Sequence, residues 1–296
     1  MKRLLVTIFA ALTLSSMAYD NFNEAFQVAL KSSGDNIVAA FAEAETLAPN
    51  TKNKLKAIYW CAQRLLQNKK NNAALAMMRR QLELPDLSAN EKIGAYNNVG
   101  NLLSHMKKYN EARAEYEKGL KVPGKRLSRA YAKTNINIGK LLFLQGKDAQ
   151  AIKALKKVVA DMTVDINSKQ NARLVIWSAL YNKGDKDTVI TEAKESLKDH
   201  KIHIVIQMQT CDLLAKCYDS QTKYAEACEV YKKLLQNPSL ITIHKINIYN
   251  KYVPLLVKNG KNEETVKACT AALALPGMRS YQIDKFKKIK SEITQQ

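Results

Sequence analysis

The sequence predicts an all-α chain: a solenoid of about seven antiparallel helix pairs followed by a C-terminal capping helix. Three observations carry that expectation. With Gly100 as a ruler, equivalent sites fall at Ala62, Gly100, Gly139, Trp177, Ala215 and Val253, so a unit recurs every 38 or 39 residues. A closing proline follows this site at one fixed distance, in Ala62–Pro85, Gly100–Pro123, Ala215–Pro238 and Val253–Pro276. Self-similarity at such a period marks stacked supersecondary units. Composition agrees, since 10 Gly and 6 Pro in 296 residues leave few helix breaks. A chain this long also exceeds what one globular core organises, whereas a repeat stack grows its core linearly.

In chain order, residues 1–18 have the plan of a secretory signal peptide. Lys2 and Arg3 form the positive start, Leu4 to Leu14 the apolar run, and Ser16-Met17-Ala18 the small-residue cleavage site. The apolar run is shorter than the roughly 20 residues that span a bilayer. No later stretch reads as transmembrane, so the expected product is exported, to a bacterial periplasm or outside the cell. The repeat domain is expected over 19–296, with units near 20–50, 54–86, 89–124, 128–163, 168–200, 204–238 and 242–276. The first unit carries Phe22, Ala25, Phe26 and Ala29 on one stripe and Ile37, Phe41 and Ala44 on the other. Ser88 and Glu91 have capping-box spacing and should start the helix that carries Tyr96. The last helix, 280–294, has Ile283, Phe286, Ile289 and Ile293 on one face, suited to covering the end of a stack.

Two units break the pattern. Trp177 and Val253 stand where close helix approach needs a small residue, so those pairs should splay or shift register. Pro254 lies inside a helical stretch, removes a donor and crowds the carbonyl of Asn250. That helix should kink or begin late.

The hairpin from Tyr96 to Pro123 is the clearest unit. Tyr96, Val99-Gly100 and Leu103 lie on the first helix, Ala112-x-x-x-Tyr116 on the second, and Pro123 closes it. In these residues the sequence resembles a tetratricopeptide repeat, whose familiar period is 34. The resemblance implies a right-handed superhelix and a non-catalytic protein- or peptide-binding scaffold. It also implies a concave groove lined by the first helices, which holds an extended peptide or a helix. Carried onto this chain, the groove residues are Tyr59, Gln63, Asn97, Asn101, Lys133, Asn137, Lys140 and Lys216. Asparagine amides offer a peptide backbone both donor and acceptor. Asn101 and Asn137 partly resemble the family's carboxylate clamp, although Asn97 replaces its first lysine and Asn171 and Val175 its later cations.

Elsewhere the chain offers little chemistry. It has no phosphate-cradling Gly-rich loop, Gly-x-Ser-x-Gly elbow or Cys/His nucleophile signature, so no catalytic residue, cofactor or enzyme activity is expected. His200-Lys-Ile-His203 has no third ligand and reads as a loop pair rather than a metal site. Cys61, Cys211, Cys217, Cys228 and Cys269 read as small hydrophobes. Cys217 and Cys228, on the two arms of one hairpin, are the pair best placed for a disulfide. Loss of Lys2 and Arg3 with the leader leaves 45 basic against 27 acidic residues, a formal +18. That charge suits an anionic glycan or lipid as an alternative partner. A pentatricopeptide-like RNA binder would also be basic and helical, but the export signal argues against nucleic acid.

Overall fold

The computed structural model describes residues 21–123 and 128–295, so the signal-peptide expectation at residues 1–18 lies outside the described residues. Among these there are fifteen α-helices and no strand. The chain forms two compact units, one through Ala130 and one from Tyr131. The first contains α1 (Phe22–Lys31), α2 (Asn36–Thr46), α3 (Thr51–Gln67), α4 (Asn71–Arg80), α5 (Ala89–His105) and α6 (Tyr109–Leu120), with a 3-10 turn at Gln81–Glu83. The second begins within α7 (Ser128–Leu144) and continues with α8 (Asp148–Ala160), α9 (Ile166–Asn182), α10 (Lys186–Ser196) and α11 (Ile204–Asp219). It ends with α12 (Tyr224–Leu235), α13 (Thr242–Lys258), α14 (Asn262–Leu273) and α15 (Ser280–Thr294). Within each unit, helices pack mainly on their neighbours in the chain, the arrangement a repeat stack produces.

The 38-residue ruler reappears in the backbone. Between the two helices of six successive pairs one residue takes positive φ: Lys69, Lys107, Gly146, Gly184, Thr222 and Gly260. The next residue's N–H then donates to a carbonyl five back, as in Lys70 to Leu65 and Lys108 to Leu103, both 2.9 Å. This satisfies the helix C-terminus and reverses the chain at one fixed place. Several first helices also carry side-chain caps. The Asn50 and Asp165 side chains accept from Asn53 and Ser168 N–H groups, and Ser88 with Glu91 completes the predicted capping box.

Close approach depends on glycine in two pairs. A Cβ at Gly100 would lie 2.4 Å from the Tyr116 ring, and one at Gly139 2.5 Å from the Leu155 side chain. The bulky residue of the second helix therefore rests on the glycine of the first. At the equivalent site Trp177 is fully buried, and its indole N–H donates to Glu192 at 2.6 Å. There α9 packs extensively on α8 and only sparsely on α10, so α10 stands off its partner as that bulky residue predicts.

Pro254 changes α13 less than expected. The helix starts at Thr242, in step with its siblings, and is continuous to Lys258. A late start is therefore corrected. Proline cannot donate to the Asn250 carbonyl, and the ammonium of Lys285 on α15 donates there instead at 3.4 Å. On α15, Phe286 is fully buried in the second unit's core and Ile289 packs against it.

Candidate functional site

In the first unit a cleft of about 420 Å³ opens between α3 and α5. From α3 it receives Tyr59, Gln63 and Gln67, and from α5 Asn98, Asn101 and His105, over a floor that includes Leu66, Met78 and Leu102. Helical spacing aligns these side chains, since residues three, four and seven apart share a face. No carboxylate lines it. The cleft thus offers amide, phenol and imidazole groups above an apolar base.

Buried hydrogen bonds fix how two of these amides point. The Gln81 side chain is almost fully buried, and its amide N–H donates to the Leu55 carbonyl at 3.1 Å. That leaves its oxygen to accept from Asn98 Nδ2 at 3.0 Å, so Asn98 keeps its acceptor oxygen for the cleft. Asn101 is oriented the opposite way. Its Oδ1 accepts from the buried Tyr116 hydroxyl at 2.7 Å, which leaves its two N–H donors. One turn of α5 therefore carries an acceptor at Asn98 and donors at Asn101, the complement of a peptide unit.

Of the residues expected in a groove, Tyr59, Gln63 and Asn101 come together in this cleft. Asn97 does not: it is 1% exposed, within the helix interface. The open stripe of α5 runs through Asn98, Asn101 and His105. One residue is about 100° of helix rotation, enough to carry a side chain from the groove to the core. The signal for Asn98 was its neighbour's amide, read one position early. Nothing in the sequence ties Gln81 to it.

The second unit holds the other expected residues. Asn137 on α7 is 9% exposed, largely removed from solvent, whereas Lys133 and Lys140 are exposed. Desolvation and then the neighbouring Lys133 charge pull the Lys140 pKa below the ordinary lysine value. Lys216 lies 4.3 Å from the centre of the Tyr181 ring, a cation–π contact. It borders a hollow of about 230 Å³ with Asp212, Asp219, Lys251 and Lys258. Those charges are mutually engaged: Asp212 pairs with Lys251 and accepts from the Tyr231 hydroxyl, and Asp219 pairs with Lys258 at 2.6 Å.

Cys217 and Cys228, the pair best placed for a bridge, are free, buried thiols. Burial raises both to about 11, which keeps them protonated and inert. His203 caps α11, its Nδ1 accepting from the Val205 N–H at 3.3 Å. No described helix is long and apolar enough to cross a membrane. A larger cleft of about 720 Å³, among α10, α11 and α12, escaped sequence reasoning.

Three stretches, residues 93–125, 136–161 and 213–239, match the tetratricopeptide repeat. Over its described residues the chain is an all-α helical repeat protein, with tetratricopeptide-like repeats in these three stretches. The matches bypass α9 and α10, where Trp177 breaks the pattern. Among solved structures it is similar to a tetratricopeptide repeat protein from Parabacteroides merdae, with 11% identity, 92% of this chain and 98% of that chain covered, and a TM-score of 0.53. It is also similar to BtubC (BKLC) from P. vanneervenii, with 15% identity, coverage of 73% and 90%, and a TM-score of 0.54. A third likeness is to the APC/C hetero-tetramer Cut9-Hcn1, with 12% identity, coverage of 92% and 49%, and a TM-score of 0.51. These identities speak to fold alone. No curated protein matches the sequence.

Proposed function

We propose that this chain is a non-catalytic scaffold that holds an extended peptide of a protein partner in the α3/α5 cleft. The observation that carries the reading is the oriented pair Asn98 and Asn101. Buried partners pin the two amides in opposite senses, so together they can accept from and donate to one peptide unit whatever its side chain. Such contacts favour backbone recognition with broad sequence tolerance. The apolar floor supplies the remaining affinity. The repeat matches support an interaction scaffold as the general role.

The pattern of residues 1–18 supports export to a bacterial periplasm or the extracellular space, and we propose that location. The alternative of an anionic glycan or lipid ligand rests on net charge. Within the second unit, Lys133 and Lys140 form a like-charged pair suited to a carboxylate.

A random peptide library displayed against the immobilised chain tests the cleft. Selected peptides should bind Gln63→Ala and Asn98→Ala variants about tenfold or more weakly, because each lost contact is worth about 1 kcal/mol and more when a buried partner is orphaned. Peptides bound equally by both variants would place the site elsewhere.

A further inference from the structure

We propose that the cleft among α10, α11 and α12 is a second docking site, for a short amphipathic helix of a protein partner that is acidic toward one end and basic toward the other. This goes beyond the peptide reading above and uses different residues on different helices.

The cleft follows from Trp177. Because that side chain fills the site where a small residue would admit α10, the second helix stands away from the first. The gap between α10 and α12 is then floored by α11, through Cys211, Leu214 and Tyr218. These are three and four residues apart and share one face. Leu197 at the C-terminal cap of α10 and Val230 and Leu234 from α12 wall it. The floor residues are buried against their own neighbours yet still line about 720 Å³ of open cleft. Along α12 the lining runs from Ala225 to Leu234, roughly 14 Å at the helical rise, room for about two and a half turns of a docked helix. An apolar floor between two helices is the form that receives a third, through side chains at i, i+3, i+4 and i+7.

The rim is polarised. Lys194, Lys198 and Lys233 border the cleft toward the C-terminal ends of α10 and α12, and Glu226 and Glu229 toward the start of α12. Lys198 pairs with Glu195, and Glu229 with Lys232. Among the described residues Lys194, Lys233 and Glu226 have no ion-pair partner. An occupant that matches both ends carries carboxylates opposite the lysines and a cation opposite Glu226. A fatty amphiphile meets only half of that demand, because its uncharged tail would lie against the glutamates. Charge complementarity therefore favours a peptide.

The test uses the full chain and three fluorescent or competing probes. One is a 14-residue amphipathic helix with acidic residues at one end and lysines at the other. The second has the same apolar face with lysines at both ends. The third is laurate. Ala225 is exposed at the cleft mouth, so Ala225→Trp blocks entry without touching the core. The double variant Lys194→Glu with Lys233→Glu reverses one end. By anisotropy, the bipolar peptide should bind the wild type about tenfold better than the all-basic one and lose at least about tenfold to Ala225→Trp. The charge-reversed variant should invert the preference. The proposal is overturned if both peptides bind alike, if Ala225→Trp retains the bipolar peptide, or if neither peptide binds at millimolar concentration. It is also overturned if only laurate binds and is displaced by Ala225→Trp. Circular dichroism of each variant checks that the helices are intact. Gln63→Ala should leave this binding unchanged, which separates failure here from failure at the α3/α5 cleft.

Discussion

Gly100 and Tyr116 set how closely α5 and α6 lie. A methyl at position 100 would penetrate the tyrosine ring, and overpacking of this kind costs about 1–3 kcal/mol. Gly100→Ala should lower the urea midpoint accordingly. At the turns the sign reverses. Thr222 is β-branched and sits at φ 59°, a conformation that costs an L-residue about 1–2 kcal/mol. Thr222→Gly should therefore raise stability by about 1 kcal/mol in the same assay, the glycine's own flexibility offsetting part of the gain. Asn101 shows what composition withholds. From sequence its removal looks neutral or mildly helpful, because asparagine is a mediocre helix former. In the structure it accepts from a buried Tyr116 hydroxyl, so Asn101→Ala should destabilise by about 1–3 kcal/mol. The glycines and the period were legible because they repeat along the chain. The hydrogen bond of Tyr116 and the relay through Gln81 were not, because they depend on contacts between helices.

At the scale of elements, α15 and α13 act together. Phe286 fills the core of the second unit, and Lys285 answers the carbonyl that Pro254 leaves without a donor. Phe286→Ala should cost about 3–5 kcal/mol, as large aromatic deletions do. Removing residues 280–296 should expose an apolar helix face, seen as concentration-dependent association in sedimentation. The apolar stripe of α15 was readable from its spacing. The answer to Pro254 was not, since sequence predicts the lost donor but not who replaces it. The splay at Trp177 shows a different limit: its existence follows from side-chain size, whereas the cleft it opens depends on three helices.

For the whole molecule, the formal charge of +20 is carried by lysines spread over both units. One of them is informative. Lys140 has a folded-state pKa below its ordinary value, from desolvation and then Lys133. Its charged form is thus disfavoured by folding at neutral pH, and that penalty fades as pH rises through the lowered pKa toward the unfolded one. Lys140→Met should raise the melting temperature at pH 7 by an amount that shrinks at strongly alkaline pH. Placement of groove residues was the least legible feature. The period transfers Gln63 correctly onto Asn101, but it also transfers Tyr59 onto Asn97, which turns into the interface.

If the first helices of the first unit read a peptide backbone, affinity measurements on one selected peptide will show it. Peptides taken from a random library on the wild-type chain should bind Asn98→Ala and Gln63→Ala about tenfold or more weakly. The same peptides should bind Ala225→Trp as they bind the wild type. Undiminished binding to both cleft variants, with circular dichroism showing intact helices, would mean that the α3/α5 cleft does not hold the peptide.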